Sequence, residues 1–138
     1  MPKLPVQGPV WVRKHGIEGD RNRFREEKLH GDPDSAVLIL CLRSIRAHAE
    51  AGFPVGPGSL GENLTIEGVE EEEMTPGQRW RAGGVTLEIT RACTPCHELD
   101  RYGSELRRHA VGRRGWYARV LEEGVVSAGD ELVREADT

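Results

Sequence analysis

From Val85 to Thr90 the chain alternates apolar and polar side chains without a break, the pattern of a strand with one buried face. Ala36 to Leu42 is almost continuously apolar and also reads as a strand. Further short strands are expected at Val10 to Arg13, Leu64 to Glu67, Gln78 to Ala82, Trp116 to Leu121 and Glu131 to Arg134, separated by glycine- and proline-rich turns. Gly83-Gly84 predicts a tight hairpin between two of them. Ser44 to Ala51 and Ser104 to Val111 read as short helices, with Gly52 stopping the first and Ser104 capping the second. So many short strands must bury a face, and a curved sheet closed into a barrel does this without a large helical layer; a β-sandwich is the alternative. The acidic run Glu70 to Glu73 reads as a solvated loop.

Length and charge narrow the picture. At 138 residues the chain fits one domain spanning 1–138. The net charge of -4 arises from interspersed acids and bases and gives no overall basic field for nucleic acid. A local basic cluster, Arg107, Arg108, Arg113 and Arg114 with His109, is compatible with an anion site but reads first as a solvated helix face and loop. No apolar run reaches membrane-spanning length and no secretory signal is evident, so a cytoplasmic location is expected, with neither membrane nor nucleic acid as partner. The 3 cysteines are an odd number, which points to chemistry or burial before a disulfide framework. Cys41, inside the apolar run, is expected to be a buried small hydrophobe.

Candidate chemistry centres on Cys93-Thr94-Pro95-Cys96, just after the alternating run. A thiol at a strand end, preceded by proline, is expected to be accessible and able to attack, to carry sulfur or to bind a soft metal. The Cys-x-x-Cys spacing also raises a redox dithiol, but that reading needs a long helix opening at the motif, and structural zinc needs a second ligand pair; neither is present. His30-Gly31-Asp32-Pro33-Asp34 sets a titratable imidazole on a rigid turn, a candidate acid, base or anion contact whose plainer reading is a polar surface residue. In Gly61 to Gly68, Asn63 offers donor and acceptor together, the bonding a pterin edge requires, and it reads equally as a loop cap. Trp116 and Tyr117 read as core anchors rather than ligand platforms.

Taken in order, Lys3-Leu4-Pro5-Val6, Gly16 to Asp20, His30 to Asp34 with Ala36-Val37, Gly61 to Thr65 with Glu67-Gly68, Pro95-Cys96 and Gly115 to Gly124 resemble the MOSC domain, named after the C-terminal part of molybdenum-cofactor sulfurases. The likeness is strongest to its stand-alone bacterial, YiiM-like branch. It implies a mainly β fold, a MOSC-type barrel of the pyruvate-kinase β-barrel-domain-like kind with a few short peripheral helices. It also implies that Cys96 carries sulfur or binds the molybdenum of a molybdopterin cofactor, with Lys3 and His30 sharing its pocket, so these three are the expected catalytic residues; Asn63, Asp34, Arg91 and Cys93 are expected as cofactor contacts. In the family's commoner pattern an arginine stands where this chain has Cys93, and Arg91 is the nearest substitute.

Beside a cofactor-binding module without turnover, two functions follow from the resemblance. One is a molybdenum-dependent reduction of N-hydroxylated bases or related small molecules, fed by a separate reductase. The other is a sulfur carrier holding a persulfide on Cys96, loaded by a cysteine desulfurase; pyridoxal phosphate then belongs to that partner, since this chain is too short for a desulfurase domain.

Overall fold

The computed structural model of the protein describes residues 9–14, 16–17, 33–56, 59–60, 62–94, 97–103 and 105–135. Strand β3 (Val37–Cys41) is buried along its whole length. Successive side chains of a strand point to opposite faces, so an unbroken apolar run must be covered on both. Val37 and Ile39 enter the main core with Val12, Leu87, Ala118 and Val120. On the other face Leu38 meets Cys93 and Tyr117, while Leu40 meets Ile45, Leu60, Leu99 and Leu106.

Around β3 a six-stranded sheet is ordered β4-β3-β7-β6-β5-β9, built from β4 (Leu64–Ile66), β5 (Arg79–Ala82), β6 (Val85–Ala92), β7 (Trp116–Glu122) and β9 (Leu132–Arg134). It curls into a half-barrel around the main core. A second, three-stranded sheet is ordered β2-β1-β8, from β1 (Val10–Arg13), β2 (Gly16–Ile17) and β8 (Gly124–Val126). Only Glu123 separates β7 from β8, and Gly84 N–H at the β5–β6 turn donates to Val125 O at 3.1 Å, which ties the sheets together. All the pairings are antiparallel except β3 with β4. The mainly β, barrel-like fold expected from the sequence is therefore present. No helix of the described residues is long and apolar enough to cross a membrane.

Helix α1 (Leu42–Glu50), the 3₁₀ segment His97–Tyr102 and helix α2 (Leu106–His109) form the second, smaller core. The expected helix over Ser104 to Val111 is shorter than its pattern suggested; Ser104 itself lies outside the described residues. The acidic run departs from expectation at one residue. Glu71–Glu73 is a 3₁₀ turn, with Glu70 and Glu73 capping each other's backbone, and Glu71 is buried. Its Oε1 accepts from Cys41 N at 3.3 Å and from Ser44 Oγ at 3.0 Å. Trp116 Nε1 donates to Glu71 O at 2.9 Å. The reason is the open end of α1: Cys41, at its N-cap, makes no side-chain cap, and a carboxylate there satisfies an orphan N–H and complements the helix dipole. Burial pushes the Glu71 pKa up, opposed by the bonds from Cys41 and Ser44.

Cys41 is buried as expected. Burial first, and the neighbouring Glu71 second, push its thiol far above the ordinary range, so almost no thiolate is available to attack a reagent. In the folded protein Cys41 should resist an aromatic disulfide reagent until denaturant is added; labelling at the rate of a free thiol would show that this face of β3 opens readily.

His48 on α1 is fully buried, and its Nδ1 lies 2.6 Å from Nδ1 of His109, 61 residues away, with the two rings edge to face. Arg113 Nη1 lies 3.3 Å from His109 Nε2 and can only donate. His109 therefore carries its proton on Nδ1 and donates to His48 Nδ1, which leaves the His48 proton on Nε2. Burial, with the charges of His109, Arg113 and Arg114, lowers the His48 pKa to about 4, although the Arg113 carbonyl pulls the other way. An unfolded histidine titrates near ~6.5, so the unfolded state binds the extra proton first. The neutral imidazole's contribution is complete above about pH 6.5 and is lost as pH falls toward 4, by about 3 kcal/mol. Urea midpoints should fall over this window in the parent and less steeply in His48→Gln; parallel profiles would mean the histidine pair carries no pH dependence.

Candidate functional site

Strand β6 changes face near its end, and this builds the site. Ile89 is in register with Ala118 and points into the main core. Two residues later Arg91 would point the same way. The register shift between Ile89 and Arg91 inserts Thr90 as a bulge, and Arg91 pairs instead with Tyr117 on the outer face. The Thr90 hydroxyl reaches the carbonyls of Tyr117 (3.1 Å) and Asp34 (2.5 Å), which seats the bulge. The Arg91 guanidinium then lies over the Tyr117 ring, 4.9 Å from its centroid, a cation–π contact.

Across the sheet, Tyr117 is in register with Leu38. Leu38 N–H donates to Asn63 Oδ1 at 2.8 Å, and Asn63 N–H returns the bond to Leu38 O at 2.9 Å. One row thus runs Asn63, Leu38, Tyr117, Arg91 over four adjacent strands or their starts. Cys93 packs on Leu38 and Tyr117, held by its N–H to Gly115 O at 2.9 Å. Asp34, in the 3₁₀ turn Pro33–Ser35, joins the same end of the sheet through Thr90, with its carboxylate 3.2 Å from Arg119 Nε.

Of the residues singled out from the sequence, Asn63, Arg91, Asp34 and Cys93 therefore share one strand end. Lys3, His30 and Cys96 lie outside the described residues, although Cys96 is three positions beyond Cys93 in the chain. The roles need adjusting. Asn63 commits its carbonyl oxygen to starting β4 beside β3, and Asp34 engages Arg119, so both build the end of the sheet as well as bordering it. Leu38 and Tyr117 were not read as site residues, yet they form its floor; Tyr117 is both a core anchor and the surface on which Arg91 lies. The bulge was the missing signal, because strict alternation from Ile89 sends Arg91 inward.

Among the described residues no group of three His, Cys, Asp or Glu could hold a bare metal ion. What the strand end offers is a thiol, an exposed guanidinium on an aromatic face and a hydrogen-bonded amide. Such donors fit an anionic organic ligand that brings its own metal, with sulfur as a soft ligand.

Comparison with known proteins agrees with this architecture. The chain is 31% identical over 135 residues to the uncharacterised protein YflK of Bacillus subtilis, covering 94% of this chain and 60% of that protein. It is 30% identical over 142 residues to the protein YiiM of Escherichia coli, covering 94% and 61%. The crystal structure of that YiiM superposes with a TM-score of 0.79 at 25% identity, over 99% of this chain and 66% of the other. The chain thus spans about three fifths of the length of the two relatives it matches. A model of the MOSC domain matches residues 26–133, and with the YiiM likeness in sequence and fold it shows that the chain belongs to the MOSC domain family.

Proposed function

We propose that the protein binds a molybdenum–pterin cofactor at this strand end, with Cys96 as the protein's sulfur ligand, and serves the reduction of N-hydroxylated compounds. What supports the reading most is the row Asn63, Leu38, Tyr117, Arg91. It gathers a cation, an aromatic face and the Cys93 thiol where the chain runs into Pro95-Cys96. In this reading Arg91 pairs with an anionic edge of the ligand, Cys93 and Tyr117 supply the floor beneath it, and Lys3 and His30 are the further residues that the family resemblance assigns to catalysis. The bound cofactor supplies the two-electron redox change; the protein supplies binding, orientation and the thiolate. A separate reductase delivers the electrons.

The second thiol favours one other reading, sulfur transfer. Cys96 takes sulfur from a desulfurase persulfide: the donor's S–S bond breaks, a new S–S bond forms on Cys96, and the donor cysteine leaves as a thiol. Protein purified without oxygen separates the two. Reduction of an N-hydroxylated base with a low-potential electron donor is expected, and it should follow molybdenum content across preparations. Metal-free protein that gains one sulfur from a desulfurase and reduces nothing would replace the first reading with the second.

A further inference from the structure

Past Thr90, each side chain of β6 stands on the face opposite to the one that strict alternation from Ile89 gives it. With Ile89 paired to Ala118, an unbroken register sets Arg91 opposite Trp116, and Trp116 packs against the main core. Thr90 as an extra residue puts the small, apolar Ala92 there instead. Arg91 then lies on the Tyr117 ring, and Cys93, two residues on, packs on Leu38 and the same tyrosine. An extra residue interrupts the ladder between two strands, so the bulge needs other bonds to hold it. The Thr90 side chain supplies them. Its hydroxyl has one proton to donate, and both carbonyls within its reach, Asp34 O at 2.5 Å and Tyr117 O at 3.1 Å, can only accept. One group thus ties β6 to β7 and also to the turn Pro33–Ser35, which follows His30 closely in the chain.

We infer that Thr90 is a positioning residue for ligand binding at this strand end: its hydroxyl, which need not touch the ligand, keeps Arg91 and Cys93 on the ligand's side of the sheet. Even alternation offers no good substitute, because it turns the Arg91 guanidinium toward Trp116 and the core, where charge is costly. Without the hydroxyl neither register is well held, and Arg91 and Cys93 lose their places together. What is bound there rests on the molybdenum–pterin reading; the placement of Arg91 does not.

The test compares Thr90→Val with Thr90→Ser in the full chain. Valine keeps the branched shape that suits a strand and lacks the hydroxyl, whereas serine keeps the hydroxyl. A side chain lying on a tyrosine ring has its nearby protons shifted upfield by the ring current, so nuclear magnetic resonance reads the place of Arg91 whether or not a cofactor is bound. Upfield Arg91 signals are expected in the parent and in Thr90→Ser, and Thr90→Val should lose most of that shift. In protein purified without oxygen, Thr90→Val should hold molybdenum and pterin about 10–100-fold more weakly than the parent, the usual cost of removing a group that orients a ligand contact, and Thr90→Ser should match the parent. A folded Thr90→Val that keeps the Arg91 signals overturns the inference, as does one that loses them yet holds molybdenum and pterin as the parent does. Should Thr90→Val not fold, the Thr90 hydroxyl proton of the parent decides: slow exchange with water is expected, and fast exchange overturns the inference. A parent with neither molybdenum nor pterin would count against the molybdenum reading alone, and the Arg91 signals would still decide whether Thr90 positions the site.

Discussion

Gly115→Ala should unfold the protein or lower its Tm by on the order of 10–15 °C. At φ +100° the backbone occupies a region that L side chains rarely adopt, and an added Cβ would overlap Ile39 O and lie 3.3 Å from Leu38 Cδ1. The overlap is with backbone of β3, which is buried on both faces and has nowhere to move. Strain of about 1–3 kcal/mol from the dihedral adds to it, for a total of about 4 kcal/mol or more. That is a large share of the ~5–15 kcal/mol that holds a domain folded. The change also reaches the site, since Gly115 O holds Cys93 N–H. Gly112→Ala is the control: Gly112 also has positive φ (+77°), but no atom lies within 4 Å of the place a methyl group would take there, so it should cost only the dihedral strain. Equal loss of Tm in the two variants would show that the close approach to β3 contributes nothing.

Periodicity was enough to find most of the sheet. Val85 to Thr90 alternates and pairs on both sides, and the continuous run ending at Cys41 is a strand covered on both faces. β2 and β8 escaped because two or three residues carry no period; only their pairing with β1 defines them. Glu71 escaped for a different reason. Composition treats four acids alike, whereas a 3₁₀ turn sends one of them under the end of α1. His48 and His109 meet across a long sequence separation, which no local pattern reveals. At the candidate site the chemistry of Arg91 and Cys93 was legible in the sequence. The floor made by Leu38 and Tyr117 was not, because it depends on a one-residue bulge at Thr90 and on the strand order around it.

Cys96→Ala should abolish function and leave the fold standing. The cores of this protein are built by residues such as Ile39, Leu87, Leu40 and Leu106, and in the sequence Cys96 comes after the last residue of β6, Ala92. What the substitution removes is a soft ligand and sulfur acceptor. Losing a neighbour of a metal ligand typically costs ~10–100-fold, so losing the ligand itself should cost more than about 100-fold. Cys96→Ser should be nearly as inactive, since a hydroxyl is a harder ligand and forms no persulfide. Thermal unfolding should place both variants within about 2 °C of the parent.

Molybdenum and pterin content, measured side by side in parent and Cys96→Ala purified without oxygen, is the most direct test of the central claim. Molybdenum and pterin should be present in equal amounts in the parent, approaching one of each per chain, and both should be missing from the folded variant. A folded Cys96→Ala protein that retains the parent's molybdenum and pterin would contradict it.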